Sequence, residues 1–117
     1  MNDNGVINTE NKQAHEFIKK GEYHMKNNLF GVAIINYLKA YEIFKRANPN
    51  STKDQIFHKI LEISINIAYC QKELLNYDES LAILKTCLVN IKKKVKADQS
   101  LKVWYVYICC QLAQLYI

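Results

Sequence analysis

AHEFIKKGEYHMKNNLFGVAIINYLKA, residues 14–40, and LEISINIAYCQKELLNYDESLAILKTC, residues 61–87, share one pattern. A small residue, Gly21 or Ala68, sits late in a first apolar stripe, and an aromatic, Phe30 or Tyr77, follows after a short polar joint. A third, shorter segment, VYICCQLAQLYI at 106–117, places Ala113 at the small position. Self-similarity at a period of about 45 to 47 residues marks helical hairpins stacked side by side. Within the first segment Ala14, Phe17, Ile18, Gly21 and Met25 recur at steps of three and four, which predicts a helix from about Lys12 to Asn27. Phe30, Ala33, Ile34, Tyr37, Leu38, Ala40, Tyr41 and Phe44 carry a second stripe to about Ala47. Pro49 then ends it, because it offers no amide donor and disfavours helix at Asn48.

Ser51 and Asp54 have capping-box spacing and predict a third helix running to about Leu75 through Ile56, Ile60, Ile63 and Ile67. After the joint Asn76–Asp78, a fourth stripe of Leu81, Leu84, Leu88 and Ile91 ends among Lys92, Lys93, Lys94 and Lys96, cations that suit a helix C-terminus. Asp98 is a candidate cap for a fifth helix, LKVWYVYICCQLAQLYI, which is apolar nearly all round. The polar, Asn-rich residues 1–11 read as a flexible leader, and residues 12–117 as one helical domain of five helices.

Composition narrows the function. One proline and three glycines leave little material for the turns of an all-β fold, and half of the 117 residues are hydrophobic, so the fold class is all-α. The formal charge of +5 prefers acidic partners without the density of a dedicated nucleic-acid binder. Cys70, Cys87, Cys109 and Cys110 contain no CxxC pair, so neither a structural zinc site nor a disulfide framework is expected; buried, reduced thiols are. His15, His24 and His58 have no carboxylate or thiol at ligand spacing, and no phosphate loop, carboxylate pair or nucleophile–base pair can be assembled. No metal, cofactor or enzymatic activity is expected. The N-terminus lacks a secretory core and no apolar run reaches bilayer length, which predicts a cytoplasmic protein without membrane insertion.

With these positions in register the chain resembles tetratricopeptide repeats, about two and a half of them. The family's small positions fall at Gly21, Ala68 and Ala113, its joint aromatic at Phe30 and Tyr77, and its second-helix small residues at Ala33, Ala40, Ser80 and Cys87. Lys20 and His24 depart from the pattern, and the repeats exceed the family's 34 residues by about three helical turns. The resemblance implies a right-handed superhelix whose first helices line a concave peptide groove. By helical phase that groove takes His15, Ile18, Glu22 and Met25, then Glu62, Ile65, Asn66, Tyr69 and Lys72, then Tyr107, Cys110, Gln111 and Gln114. Asn66 stands where carboxylate-gripping co-chaperones carry an asparagine. The cations of that clamp are replaced by Ile18, Tyr107 and Gln111, and its other asparagine by Glu22, so a chaperone tail is not the expected ligand.

The fifth helix carries Trp104, Tyr105, Val106, Ile108, Leu112, Leu115 and Ile117 on several faces, and the fourth helix can cover only one side. Trp104, Tyr105, Ile108, Leu112 and Leu115 are therefore candidate self-association residues, the cover being a second copy, a partner helix or a continuation of the array. The function expected is a non-enzymatic adaptor for a peptide or helix. The alternatives are a peptide-responsive sensor domain and a basic nucleic-acid-associated module resting on the Lys92–Lys96 run.

Overall fold

The computed structural model describes residues 3–47, 54–94 and 101–116, with side chains over 11–46, 56–94 and 101–115. They form α1 (Asp3–Lys26), α2 (Phe30–Ala47), α3 (Asp54–Glu73), α4 (Tyr77–Lys94) and α5 (Leu101–Tyr116). The fold is all-α, as the hydrophobic periodicity predicts, and no strand occurs among the described residues. Helix α1 differs from expectation: it starts at Asp3, not at about Lys12. Extending a helix fixes one residue per bond gained, so Gly5 and the asparagines weaken the extension without stopping it. Ser51, Pro49, Lys96 and Asp98 lie outside the described residues.

The two hairpin turns have the same geometry 47 residues apart. Asn28 and Leu75 both adopt the left-handed conformation, with φ of 62° and 67°. Around Asn28, the Leu29 amide donates to the His24 carbonyl at 2.8 Å and the Asn28 amide to Met25 at 3.1 Å. Around Leu75, the Asn76 amide donates to Gln71 at 2.8 Å and the Leu75 amide to Lys72 at 2.9 Å. Each is a Schellman motif, which satisfies carbonyls the helix end leaves without partners. Leu29 and Asn76 then supply the first carbonyls of α2 and α4, accepting from Ala33 at 2.9 Å and Ser80 at 3.1 Å.

Each helix packs on the next in sequence. The pairing is antiparallel. Phe30 at the start of α2 meets Tyr69 near the end of α3, with ring centroids 6.1 Å apart. The Ser80 hydroxyl at the start of α4 donates to the Ala68 carbonyl at 2.8 Å. Lys94 at the end of α4 lies over the Phe57 ring near the start of α3. The short axis of the molecule, 18 Å, corresponds to two helix layers, with α1, α3 and α5 in one and α2 and α4 in the other.

Helix α3 divides two cores. Ile63, Ile67 and Cys70 join Ala14, Tyr37 and Phe44 in the first, while Leu61, Ile65 and Ala68 join Leu84, Ile91 and Ile108 in the second. In the first core α1 meets α2 at Gly21. A Cβ built there would lie 2.9 Å from Cε1 and Cζ of Tyr37, whose side chain is fully buried. Only a glycine lets that ring rest on the α1 backbone. The corresponding pair one period later is Ala68 and Leu84, a larger small residue beside a narrower side chain.

Two outcomes follow from this packing. Gly21→Ala should lower stability by roughly 2 kcal/mol in urea unfolding, because the clash with an enclosed ring outweighs the ~1 kcal/mol that alanine gains in a helix. Gly31→Ala, whose Cβ meets nothing within 4 Å, should raise it by ~0.5–1 kcal/mol. A stabilising Gly21→Ala would show that the ring yields. Burial also pushes the Cys70 and Cys87 thiols up to about 11, above the ordinary thiol range. Above pH 9 the unfolded chain releases protons that the folded chain retains, so stability is lost as pH rises from 9 to 11, by roughly 2–3 kcal/mol per thiol. The urea midpoint should be level from pH 7 to 8.5 and fall beyond; a level midpoint at pH 10.5 contradicts this.

Candidate peptide-docking face

The α1–α3–α5 layer gathers most of the expected groove residues, organised around a side chain from the other layer. Passing over Gly21, Tyr37 of α2 brings its hydroxyl between α1 and α3. There it donates to the Met25 sulfur at 4.0 Å, and the Asn66 carboxamide of α3 is close enough to influence its titration. Burial first, then the Glu22 carboxylate, with smaller contributions from Cys70 and Glu62, hold the phenol well above its ordinary range. It therefore remains a neutral donor and acceptor at any physiological pH. Glu22 and Asn66 are half-buried, and Glu62 pairs with Lys59 one turn earlier at 3.7 Å. This exposed pair contributes little, so Glu62 keeps its charge available.

A second group spans α3 and α5. The Lys72 ammonium lies 5.2 Å from the Tyr69 ring centroid and donates to Gln114 Oε1 at 3.4 Å. Burial and the neighbouring Glu73 raise the Tyr69 phenol, and Tyr107 is close enough to add to the effect. The face thus runs from two carboxylates at α1–α3 to an ammonium and a carboxamide at α3–α5.

Not every expected residue lies on it. Ile18 and Ile65 are 7% and 4% exposed and belong to the two cores, because each falls one turn after a core position, Ala14 or Leu61. His15 is exposed and sets its ring edge-on to Phe44 at 5.8 Å. Gln111 is half-buried and Cys110 is exposed. The sequence places Tyr37 only in the apolar stripe of the second helix, with no role at this face. The signal for Tyr37 was present: a glycine inside a helix, at the small position of the first stripe, opposite a long aromatic.

Helix α5 requires a correction. Trp104, Tyr105, Leu112 and Leu115 are packed against the second core, and Ile108 is completely buried in it. All of these but Trp104 repeat, 45 positions later, the face by which Ile60, Ile63, Ile67 and Cys70 of α3 join the first core. The open side of α5 is instead Val103 at 74%, Val106 at 59% and Tyr107 at 42% exposure, with Cys110 and Ala113. By the same register, Val106, Cys110 and Ala113 match Leu61, Ile65 and Ala68, the face that α3 turns to α4. Ala113 is exposed because no described helix takes that place beside α5. All four thiols are free, but only Cys70 and Cys87 are buried; Cys109 is half-buried and Cys110 exposed, contrary to the expectation of four enclosed thiols.

Among the described residues no group of histidine, cysteine, aspartate and glutamate could hold a metal ion, and no helix is long and apolar enough to cross a membrane. Lys92 and Lys93 are exposed at the end of α4. Comparison with family models, curated proteins and solved structures finds no match.

Proposed function

We propose that the chain is a non-enzymatic adaptor of the tetratricopeptide type, which holds an extended peptide or a helix along the α1–α3–α5 face. The observation that carries this reading is the convergence of Glu22, Asn66 and the Tyr37 hydroxyl between α1 and α3. Asn66, half-buried beside the Tyr37 hydroxyl, has donor and acceptor capacity for a ligand backbone. With Glu22 and Glu62 beside it, this end of the face favours a basic ligand residue, while Lys72 and Gln114 offer donors to a carbonyl or carboxylate further along. Its repeated turns and hairpins support the family reading, and four free thiols favour a reducing compartment, the cytoplasm.

Self-association is the second part of the proposal, now through the Val103–Val106–Cys110–Ala113 stripe. That stripe is the surface to which α1 and α3 each apply a hairpin partner, so a helix from another copy supplies the missing cover.

Peptides selected from a random display library on the immobilised full chain should bind Asn66→Ala about tenfold more weakly, and Lys93→Ala equally, with the helical circular dichroism unchanged. Equal affinity for all three proteins removes Asn66 from the site. In light scattering the native chain should be dimeric and Val106→Glu monomeric and folded, whereas Trp104→Glu should lose its cooperative unfolding. A monomeric native chain ends the self-association reading.

A further inference from the structure

In the other layer, α2 and α4 are not a packed pair, and a trough opens between them with α3 as its floor. It holds about 500 Å3 and is partly open to solvent. Ile56, Ile60, Ile67 and Ile83 make its surface apolar. The two aliphatic hydroxyls in it are already used, Ser64 donating to the Ile60 carbonyl at 2.8 Å and Thr86 to Ala82 at 3.0 Å, and the Tyr41 phenol and Asn90 carboxamide are its other uncharged polar groups. Along α4 the lining runs from Ala82 to Lys94, about 18 Å at the helical rise, the length of three turns.

Charge gives the trough a direction. Lys45 and Lys94 line it, and among the described residues no carboxylate does. Both lie at one end, because α2 and α4 each run antiparallel to α3 and so parallel to each other. Lys45 stands over the Tyr41 ring at 5.8 Å and Lys94 over Phe57 at 4.3 Å, and neither makes an ion pair among the described residues. Arg46, Lys92 and Lys93 are exposed at the same end.

We propose that this trough takes an amphipathic helix of about three turns from a partner protein, apolar stripe inward, with carboxylates in its first turn against Lys45 and Lys94. Acidic residues are most favourable at a helix N-terminus, so the partner helix runs antiparallel to α2 and α4, with its dipole opposed to theirs. A helix keeps one face in water, as an open trough requires. A second copy does not fit: its open apolar stripe is on α5, which contains no aspartate or glutamate from Leu101 to Tyr116 and brings Lys102 instead. This surface is separate from the α1–α3–α5 face and does not depend on the peptide reading.

The test is an amide NMR titration of the full chain with a capped peptide of about sixteen residues, carrying three glutamates in its first turn and leucines on one face. The control is the same composition in reverse order. Saturable shifts are expected at Ile60, Ser64, Ile67 and Ile83, weakened by salt. Affinity should fall about tenfold in the Lys45→Glu, Lys94→Glu double variant and about threefold for the reversed peptide, and should be unchanged in Asn66→Ala. The proposal is overturned by no saturable shift at millimolar peptide, by shifts confined to the α1–α3–α5 face, or by equal affinity for the double variant or the reversed peptide. Tighter binding of laurate than of the peptide overturns it too, by making the trough a pocket for acyl chains.

Discussion

The contact between the Gly21 backbone and the Tyr37 ring sets the rest of the structure. A ring can lie fully buried on α1 only where the helix has no Cβ, and that closeness brings α1 and α2 together as a hairpin. It also carries the phenol through to the far side, where it meets Asn66 and the field of Glu22. One missing methyl group therefore serves both packing and the candidate site. In the second hairpin Ala68 and Leu84 occupy the corresponding positions, and a leucine has no hydroxyl to deliver, so the arrangement seen at α1–α3 is not repeated there.

The turns show how far geometry is retained while chemistry changes. Asn28 suits the left-handed conformation, whereas Leu75 enters it at a cost of about 1 kcal/mol and with its side chain 70% exposed. Nothing local recommends leucine there. The cost is met because the Schellman bonds and the packing of α3 on α4 determine the turn more strongly than its residue does.

The two layers present different surfaces. Around Tyr37 the α1–α3–α5 face is polar and carries carboxylates, and the α2–α4 trough is apolar with cations at one end. Taken together, the two proposals describe a small module that brings a basic segment and an acidic helix to opposite sides of one helical stack. The formal +5 of the whole chain conceals this difference, since an average charge cannot report which face carries it.

Much of this fold was legible in advance because its determinants are local. Apolar steps of three and four, short polar joints and a proline placed α2 at Phe30–Ala47, and the 47-residue recurrence paired two hairpins whose turns have the same bonds. The placing of Glu22, Asn66, Tyr69 and Lys72 on helices α1 and α3 followed for the same reason. The start of α1 was not, since weak helix formers give no sharp boundary when a helix is extended from an existing nucleus. Nor was the working face of α5: a helix apolar around its whole circumference has no phase to read, and Ile108 differs from Val106 only in which of them α4 approaches. By itself, then, the sequence determined which segments are helical, where they turn and how they repeat, because short-range sterics and hydrogen bonding decide these. Only the tertiary structure decided that the Tyr37 hydroxyl reaches across Gly21 to Met25, that α5 turns Val106 outward and that a trough lies between α2 and α4, because these depend on approach between residues distant in the chain.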